Sequence, residues 1–128
     1  MGRFLPADHS KGDANTLGGY MAVHDRPAAF EGADGASYSV AIETDETGDA
    51  AAPYGAYLFF VRWSRGDPSP AGHLESDFLT RAASAEAAAA ELGRLRLSDV
   101  KRVLDELIAR QSRTERPWWE AMRDEGDV

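Results

Sequence analysis

The segment Ala56-Tyr57-Leu58-Phe59-Phe60-Val61-Arg62-Trp63 decides the fold of this chain. Its side chains are apolar on both sides of an extended backbone until Arg62, and aromatic and β-branched residues, which favour strands, dominate it. A strand that is apolar on both sides belongs in the middle of a sheet, with another layer against each face. We therefore predict that residues 56–63 form a central strand.

Two further segments with strand-like patterns flank the central strand. Residues 37–44 and residues 73–79 both alternate between apolar and polar side chains, with the period of two that is typical of a half-buried strand. Residues 45–53 are charged and small and are broken by Gly and Pro, and residues 64–72 are dense in turn-forming Gly, Pro, Asp and Ser. The order predicts an antiparallel meander of three strands, and a short extended segment at residues 19–24 would add a fourth.

Helical signals follow the strands. Ser84 is a good N-cap for an alanine-rich stretch that ends at Gly93, a residue that commonly ends helices in the left-handed conformation. Residues 98–111 then carry apolar side chains at helical spacing: Val100, Val103, Leu104, Leu107 and Ile108. The sequence therefore predicts an α+β fold, in which an antiparallel β-meander of three to four strands is followed by two helices packed on one sheet face.

The length of 128 residues suits one domain with one hydrophobic core. Residues 1–18 are rich in Gly and polar residues, and we predict a flexible N-terminal arm there. Residues 19–111 are predicted to form the single α+β domain. Residues 112–128 form a C-terminal tail, in which Pro117 suits the first turn of a short helix.

Composition excludes several classes of function. The formal net charge of −8 repels phosphate groups, so we expect no nucleic-acid partner and no anionic membrane partner. The absence of cysteine excludes disulfides, thiolate nucleophiles and cysteine-ligated zinc. No apolar run is long enough to span a bilayer, and the first residues lack a secretory signal pattern, so we expect a cytoplasmic protein. No motif predicts a cofactor.

The aromatic side chains of the central strand are the first candidate site. Tyr57, Phe59 and Trp63, which we call the aromatic row, project on the side opposite Leu58 and Phe60. Two helices cover only one face of a sheet, and a large apolar face rarely stays exposed on a monomer. The aromatic row is therefore part of the interior, a dimer interface or the wall of an apolar ligand pocket.

Three segments are candidates to extend or cover the aromatic row. Tyr38, on the neighbouring strand, would lengthen it. The adjacent Trp118 and Trp119 in the tail, or Phe4-Leu5 in the arm, would fold back over it. Trp118 and Trp119 are also binding candidates themselves, because exposed tryptophans are frequent at interfaces.

Polar residues of the third strand are the second candidate site. His73, Glu75 and Asp77 would all point the same way, in outline the nitrogen and oxygen ligands of a divalent metal or a histidine–carboxylate pair for acid–base chemistry. Polar residues at this spacing are equally typical of any half-exposed strand, and ligands spread along one strand diverge. We therefore predict no metal site. No serine lies in a nucleophile motif, and no glycines form a phosphate-binding fingerprint.

The sequence names no reaction, and three hypotheses follow from it. The first is a small non-enzymatic protein-interaction or accessory domain that acts as a homodimer through the aromatic row. The alternative is a small-molecule-binding protein or enzyme with a pocket between sheet and helices that uses His73, Glu75 and Arg62. A further alternative, which fits the negative charge, is an acidic inhibitor or immunity-type partner of a basic protein.

Overall fold

The computed structural model describes the backbone of residues 7–66 and 69–115, with side chains as far as Arg113. Within these ranges the chain forms three α-helices and five strands. In chain order they are α1 (Leu17–His24), β1 (Ala29–Glu31), β2 (Ser37–Glu46), β3 (Tyr54–Trp63), β4 (Pro70–Glu75), β5 (Thr80–Ala82), α2 (Ala85–Leu92) and α3 (Leu97–Glu115). None of the described helices combines the length and the apolarity that crossing a bilayer requires.

The strands form one antiparallel sheet in the order β1-β2-β3-β4, with β5 paired to β3. One edge of β3 pairs with β2 along its whole length, and the other edge pairs first with β5 and then with β4. Ser76 bridges the gap between those two strands, because its N–H donates to the Leu58 carbonyl at 3.0 Å and its hydroxyl accepts from the Leu58 N–H at 2.9 Å. The predicted antiparallel meander is confirmed.

The helices pack together on one face of the sheet, which we call the inner face. Its core side chains on the strands are Tyr38, Val40, Leu58 and Phe60, each at most 1% exposed. The predicted apolar stripe of α3 meets them: Val100 and Leu104 are fully buried, and Leu107 and Ile108 nearly so. The prediction of helices packed on one sheet face is confirmed, and α1 adds a third helix to the same core through Leu17.

The predicted strand at residues 19–24 is wrong, because these residues belong to α1. Gly18-Gly19 has the appearance of a breaker, but both glycines lie inside the helix and allow close backbone contacts. A Cβ on Gly19 would overlap the carbonyl oxygen of Asp13, and Gly18 N–H donates to the Gly93 carbonyl at 2.8 Å. Thr16 caps the helix by accepting from Gly19 N–H. Tertiary contact therefore overrides the low helix propensity of glycine.

The segments around the domain differ in detail from the predictions. Residues 7–18 of the predicted arm contain a 3-10 turn at His9–Lys11 and include the fully buried Leu17, with which α1 begins. Gly93 ends α2 as predicted, but its backbone is in the right-handed conformation, with a φ of −61°. The backbone of Gly93 packs closely against that of Gly18. α3 runs to Glu115, four residues beyond its predicted end. Phe4-Leu5 and the tail segment that carries both tail tryptophans lie outside the described residues.

Candidate functional site

The aromatic row lies on the outer face of the sheet, away from the helices. Tyr57, Phe59 and Trp63 alternate with the buried Leu58 and Phe60 along β3, and all three are half-buried. No described helix or strand packs over them. The Trp63 indole N–H donates to the Ser39 hydroxyl at 3.0 Å, which holds the ring across β2. The row is therefore an ordered surface rather than part of the described core.

Phe78 extends the aromatic row, and the sequence pattern did not reveal it. Its ring meets Tyr57 edge to face, with centroids 6.0 Å apart, and lies over Gly55. A Cβ at Gly55 would overlap the Phe78 ring, so only glycine leaves room for it. The alternation of residues 73–79 places Phe78 on the opposite side from His73, but the interruption after β4 changes the phase. A glycine inside an apolar strand was the available signal, because it often marks a close approach.

Tyr38 does not extend the row. It is 1% exposed on the inner face, opposite Arg62 in the sheet register, and its hydroxyl donates to Asp34 Oδ2 at 2.8 Å. Burial, together with the neighbouring Asp34 carboxylate, raises the pKa of Tyr38 to about 12. Arg62 belongs to the same group, with its Nε 3.9 Å from Asp34 Oδ2. The sequence pattern suggested the wrong face for Tyr38 because alternation along β2 does not determine how β2 aligns with β3.

Opposing interactions act on the pKa of the Asp34 carboxyl. Burial raises this pKa, whereas hydrogen bonds from the Tyr38 hydroxyl and the Ala36 N–H and the charge of Arg62 lower it. The lowering effects are larger together, so the pKa lies below its usual value. The same carboxylate stabilises the predicted turn at Asp34-Gly35, in which Gly35 has a φ of 81°. Asp34 and its partners therefore form a structural polar cluster at the end of the sheet.

The structure places His73 and Glu75 beside the aromatic row. Both side chains are exposed, at 60% and 50%, and His73 Nε2 lies 3.8 Å from Glu75 Oε1. The His73 ring stacks on Phe59, with centroids 5.1 Å apart. Asp77 lies beyond the end of β4, in the segment between β4 and β5, so it does not continue the strand alternation of His73 and Glu75. Since His73 and Glu75 lie on the outer face, they do not line a pocket between sheet and helices.

Among the described residues, no metal cluster accompanies His73 and Glu75, and the hydroxyl of the neighbouring Ser76 is engaged in hydrogen bonds. Within the described parts of the chain, no group of three or more His, Asp or Glu side chains could hold a metal ion. The Ser76 hydroxyl, next to Glu75 in the chain, accepts from Leu58 N–H and donates to the Asp77 carbonyl at 2.8 Å. Ser76 therefore has a structural role in the sheet edge.

Carboxylates surround one end of the aromatic row, and we call this region the acidic end. It consists of Glu43, Asp45, Glu75 and Asp77, of which the first three lie opposite Tyr57, Gly55 and Phe59 in the register. A shallow depression of about 580 Å³ lies there, lined by Asp45, Tyr57, Glu75, Ser76, Asp77, Phe78 and Arg81. Desolvation, followed by the charges of Glu75, Glu43 and Asp45, raises the pKa of the Tyr57 hydroxyl. The negative charges of the acidic end therefore act on the hydroxyl of Tyr57, which belongs to the aromatic row.

Within the described residues, the outer face thus combines ordered aromatic rings with a group of carboxylates, and His73 and Glu75 lie open to solvent rather than in an enclosed site. The chain matches no protein-family model, no curated protein and no solved structure. Its function has to be inferred from this geometry.

Proposed function

We propose that the chain is a non-enzymatic protein-interaction or accessory domain and that the outer face of the sheet is its contact surface. The observation that carries this proposal is the aromatic row, which stays half-buried on a face that no described helix or strand covers. Aromatic side chains on an ordered strand bury much area with little loss of side-chain freedom, and they are enriched where proteins meet. The inner face supplies the core, and the part of the chain that the structure describes leaves the outer face open for binding.

The polar residues near the row support binding rather than catalysis. His73 and Glu75 are exposed to solvent and shape no enclosed cavity around a substrate. Catalytic acids and bases usually lie in clefts where burial and neighbouring charges adjust their protonation. The stacking of His73 on Phe59 instead makes the imidazole part of the contact surface.

Two partners are candidates for this face. The first is a second copy of the chain, because a two-fold homodimer joins identical patches and one aromatic row supplies both halves of the contact. The second is a basic protein, which the acidic end favours through complementary charge. Both partners would bury the aromatic row.

Sedimentation equilibrium of the full chain at tens of micromolar tests the homodimer. If the partner is a second copy, the full chain is a dimer that Trp63→Glu converts to a monomer, because a buried carboxylate on the aromatic row costs more than the contact gains. Leu79→Glu is the matched control, since Leu79 is also apolar and 42% exposed but does not belong to the row. A dimer that persists in Trp63→Glu would show that the outer face is not the dimer contact.

Hydroxyl-radical footprinting of the full chain tests the contact surface itself. If the face is free for a partner, Tyr57 and Trp63 are oxidised in the monomer and protected in the complex. Protection of both residues in a monomer, lost in the Trp118→Ser/Trp119→Ser variant, would mean that the tail covers the aromatic row. That result would overturn the proposed function.

A further inference from the structure

The acidic end carries more negative charge than its own cations offset. The depression there is lined by the carboxylates of Asp45, Glu75 and Asp77 and by one guanidinium, that of Arg81. Glu43, on β2, adds a fourth carboxylate. Within the described parts of the chain, Glu43, Asp45 and Asp77 form no ion pair. The concentration of negative charge at an open depression attracts a cationic group.

Arg81 shows how a cation fits against the aromatic rings at this end. Its guanidinium carbon lies 5.8 Å from the centre of the Phe78 ring, within the range of a cation–π contact. Phe78 in turn meets Tyr57 edge to face. A guanidinium group stacks on aromatic rings and forms paired hydrogen bonds with carboxylates, which an ammonium group does less well. Rings next to carboxylates therefore favour arginine over lysine.

A second copy of the chain brings no comparable excess of cations. In a face-to-face pair the acidic end meets either the other acidic end or the other Trp63 end, depending on the direction of the two-fold axis. At the Trp63 end, Arg62 and Arg65 lie beside Asp34, and Glu31 continues the same register across β2. Arg62 and Asp34 pair with each other in the polar cluster at the end of the sheet, which leaves Arg65 and Glu31, so this end carries no excess of cations either. Neither arrangement neutralises the acidic end.

We infer that the outer face binds a basic polypeptide segment, with arginine side chains at the acidic end and apolar side chains along the aromatic row. This inference rests on the proposed function and names the chemistry of the partner. Tyr57 and Trp63 are six residues apart on an extended strand, roughly 20 Å, so an extended segment of about six residues spans the row. The apolar contact supplies affinity, and the charged contact selects the segment.

Fluorescence anisotropy with labelled synthetic peptides tests this inference on the full chain. The probes are a short peptide of alternating arginine and leucine and its lysine counterpart of equal length and charge. The acidic end is altered by Glu43→Gln/Glu75→Gln. The matched control, Glu91→Gln/Glu106→Gln, removes the same charge from exposed positions on α2 and α3. Circular dichroism melts confirm that both variants fold.

We expect the arginine peptide to bind more tightly than the lysine peptide. Glu43→Gln/Glu75→Gln should weaken its binding by about tenfold, and the control pair by less than about twofold, because only the first pair contacts the segment. If both double variants weakened binding of the arginine peptide equally, net charge alone would explain the effect and the inference would be wrong. It would also be wrong if the arginine peptide did not bind the chain.

The same variants separate failure of this inference from failure of the proposed function. If the full chain dimerises through the outer face and Glu43→Gln/Glu75→Gln strengthens the dimer, the occupant is a second copy, and only the inference is wrong. If the chain neither dimerises nor binds a peptide, and footprinting shows its own tail on the row, both are wrong.

Discussion

The two faces of the sheet use the same central strand in different ways. On the inner face, Leu58 and Phe60 are fully buried against three helices. On the outer face, Tyr57, Phe59 and Trp63 are half-buried and bordered by carboxylates. Alternation along one strand therefore separates two tasks, because residues one position apart point to opposite faces. The inner face stabilises the fold, and no described helix or strand packs on the outer face.

The largest expected difference between the faces is in stability. Leu104→Ala should lower the free energy of unfolding by about 2–5 kcal/mol, because Leu104 is fully buried in the stripe that α3 packs on the inner face. Phe59→Ala, on the outer face, should lower it by only about 1 kcal/mol. Urea denaturation of both variants measures the contrast. Equal losses would mean that the outer face also belongs to the core.

The packing of Phe78 on Gly55 gives the second prediction. Gly55→Ala should lower the free energy of unfolding by about 1–3 kcal/mol, because the added methyl group would overlap the Phe78 ring and force it to shift. In Gly55→Ala/Phe78→Ala the overlap is gone, so the alanine at position 55 should cost less there than in the wild-type background. Urea denaturation of the four proteins in this cycle measures the coupling, and additive losses would contradict the contact.

Much of the inner face was predictable because its signals are local and repeated. The stripe from Val100 to Ile108 and the N-cap Ser84 fix two helices through spacing and hydrogen bonding within a few residues. The alternation of β2 and the turn before it are equally local. Such signals do not depend on how distant segments meet.

The residues of the outer face were predictable only in part. Which side chains lie there depends on the register between strands and on interruptions within a strand. The row of Tyr57, Phe59 and Trp63 follows from alternation alone. Phe78 reaches the row because the regular pairing of β4 ends at Glu75, which interrupts the alternation, and Tyr38 faces inward because of the β2–β3 register. Gly18 is helical for a similar reason, namely close packing against the distant backbone of Gly93. One-residue changes of phase reverse the face of every side chain that follows.

The third prediction uses pH to examine the polar cluster at the end of the sheet. The folded pKa of Tyr38, about 12, exceeds the usual value of 10.0, so its neutral form is favoured by folding. This contribution to stability is fully present below about pH 10 and is lost as the pH rises toward 12. Tyr38→Phe lacks it and also loses the hydrogen bond to Asp34, at a cost of about 1 kcal/mol near neutral pH.

Urea denaturation at a series of pH values compares the two proteins. We expect wild type to exceed Tyr38→Phe in stability near neutral pH and the difference to shrink above about pH 10. Other groups also titrate in this pH range. They are present in both proteins, so subtracting the two free energies of unfolding removes their effect. A difference that stays constant to the alkaline limit would show that the Tyr38 pKa is not raised by folding.

The smallest expected effect concerns the exposed pair on the outer face. His73→Ala/Glu75→Ala should change the free energy of unfolding by less than about 0.5 kcal/mol, because both side chains are exposed and a surface pair 3.8 Å apart contributes little. The ring of His73 does stack on Phe59, but solvent reaches the other side of the imidazole, so its removal exposes little apolar area. Calorimetric titration with Zn²⁺ and Mn²⁺ should show no difference between the variant and wild type. Asp77, the third residue of the candidate polar site, lies beyond the end of β4, and no third ligand converges on His73 and Glu75 within the described residues. Micromolar binding by wild type that disappears in the double variant would instead identify a metal site, and it would turn the outer face from a contact surface into a candidate centre for chemistry.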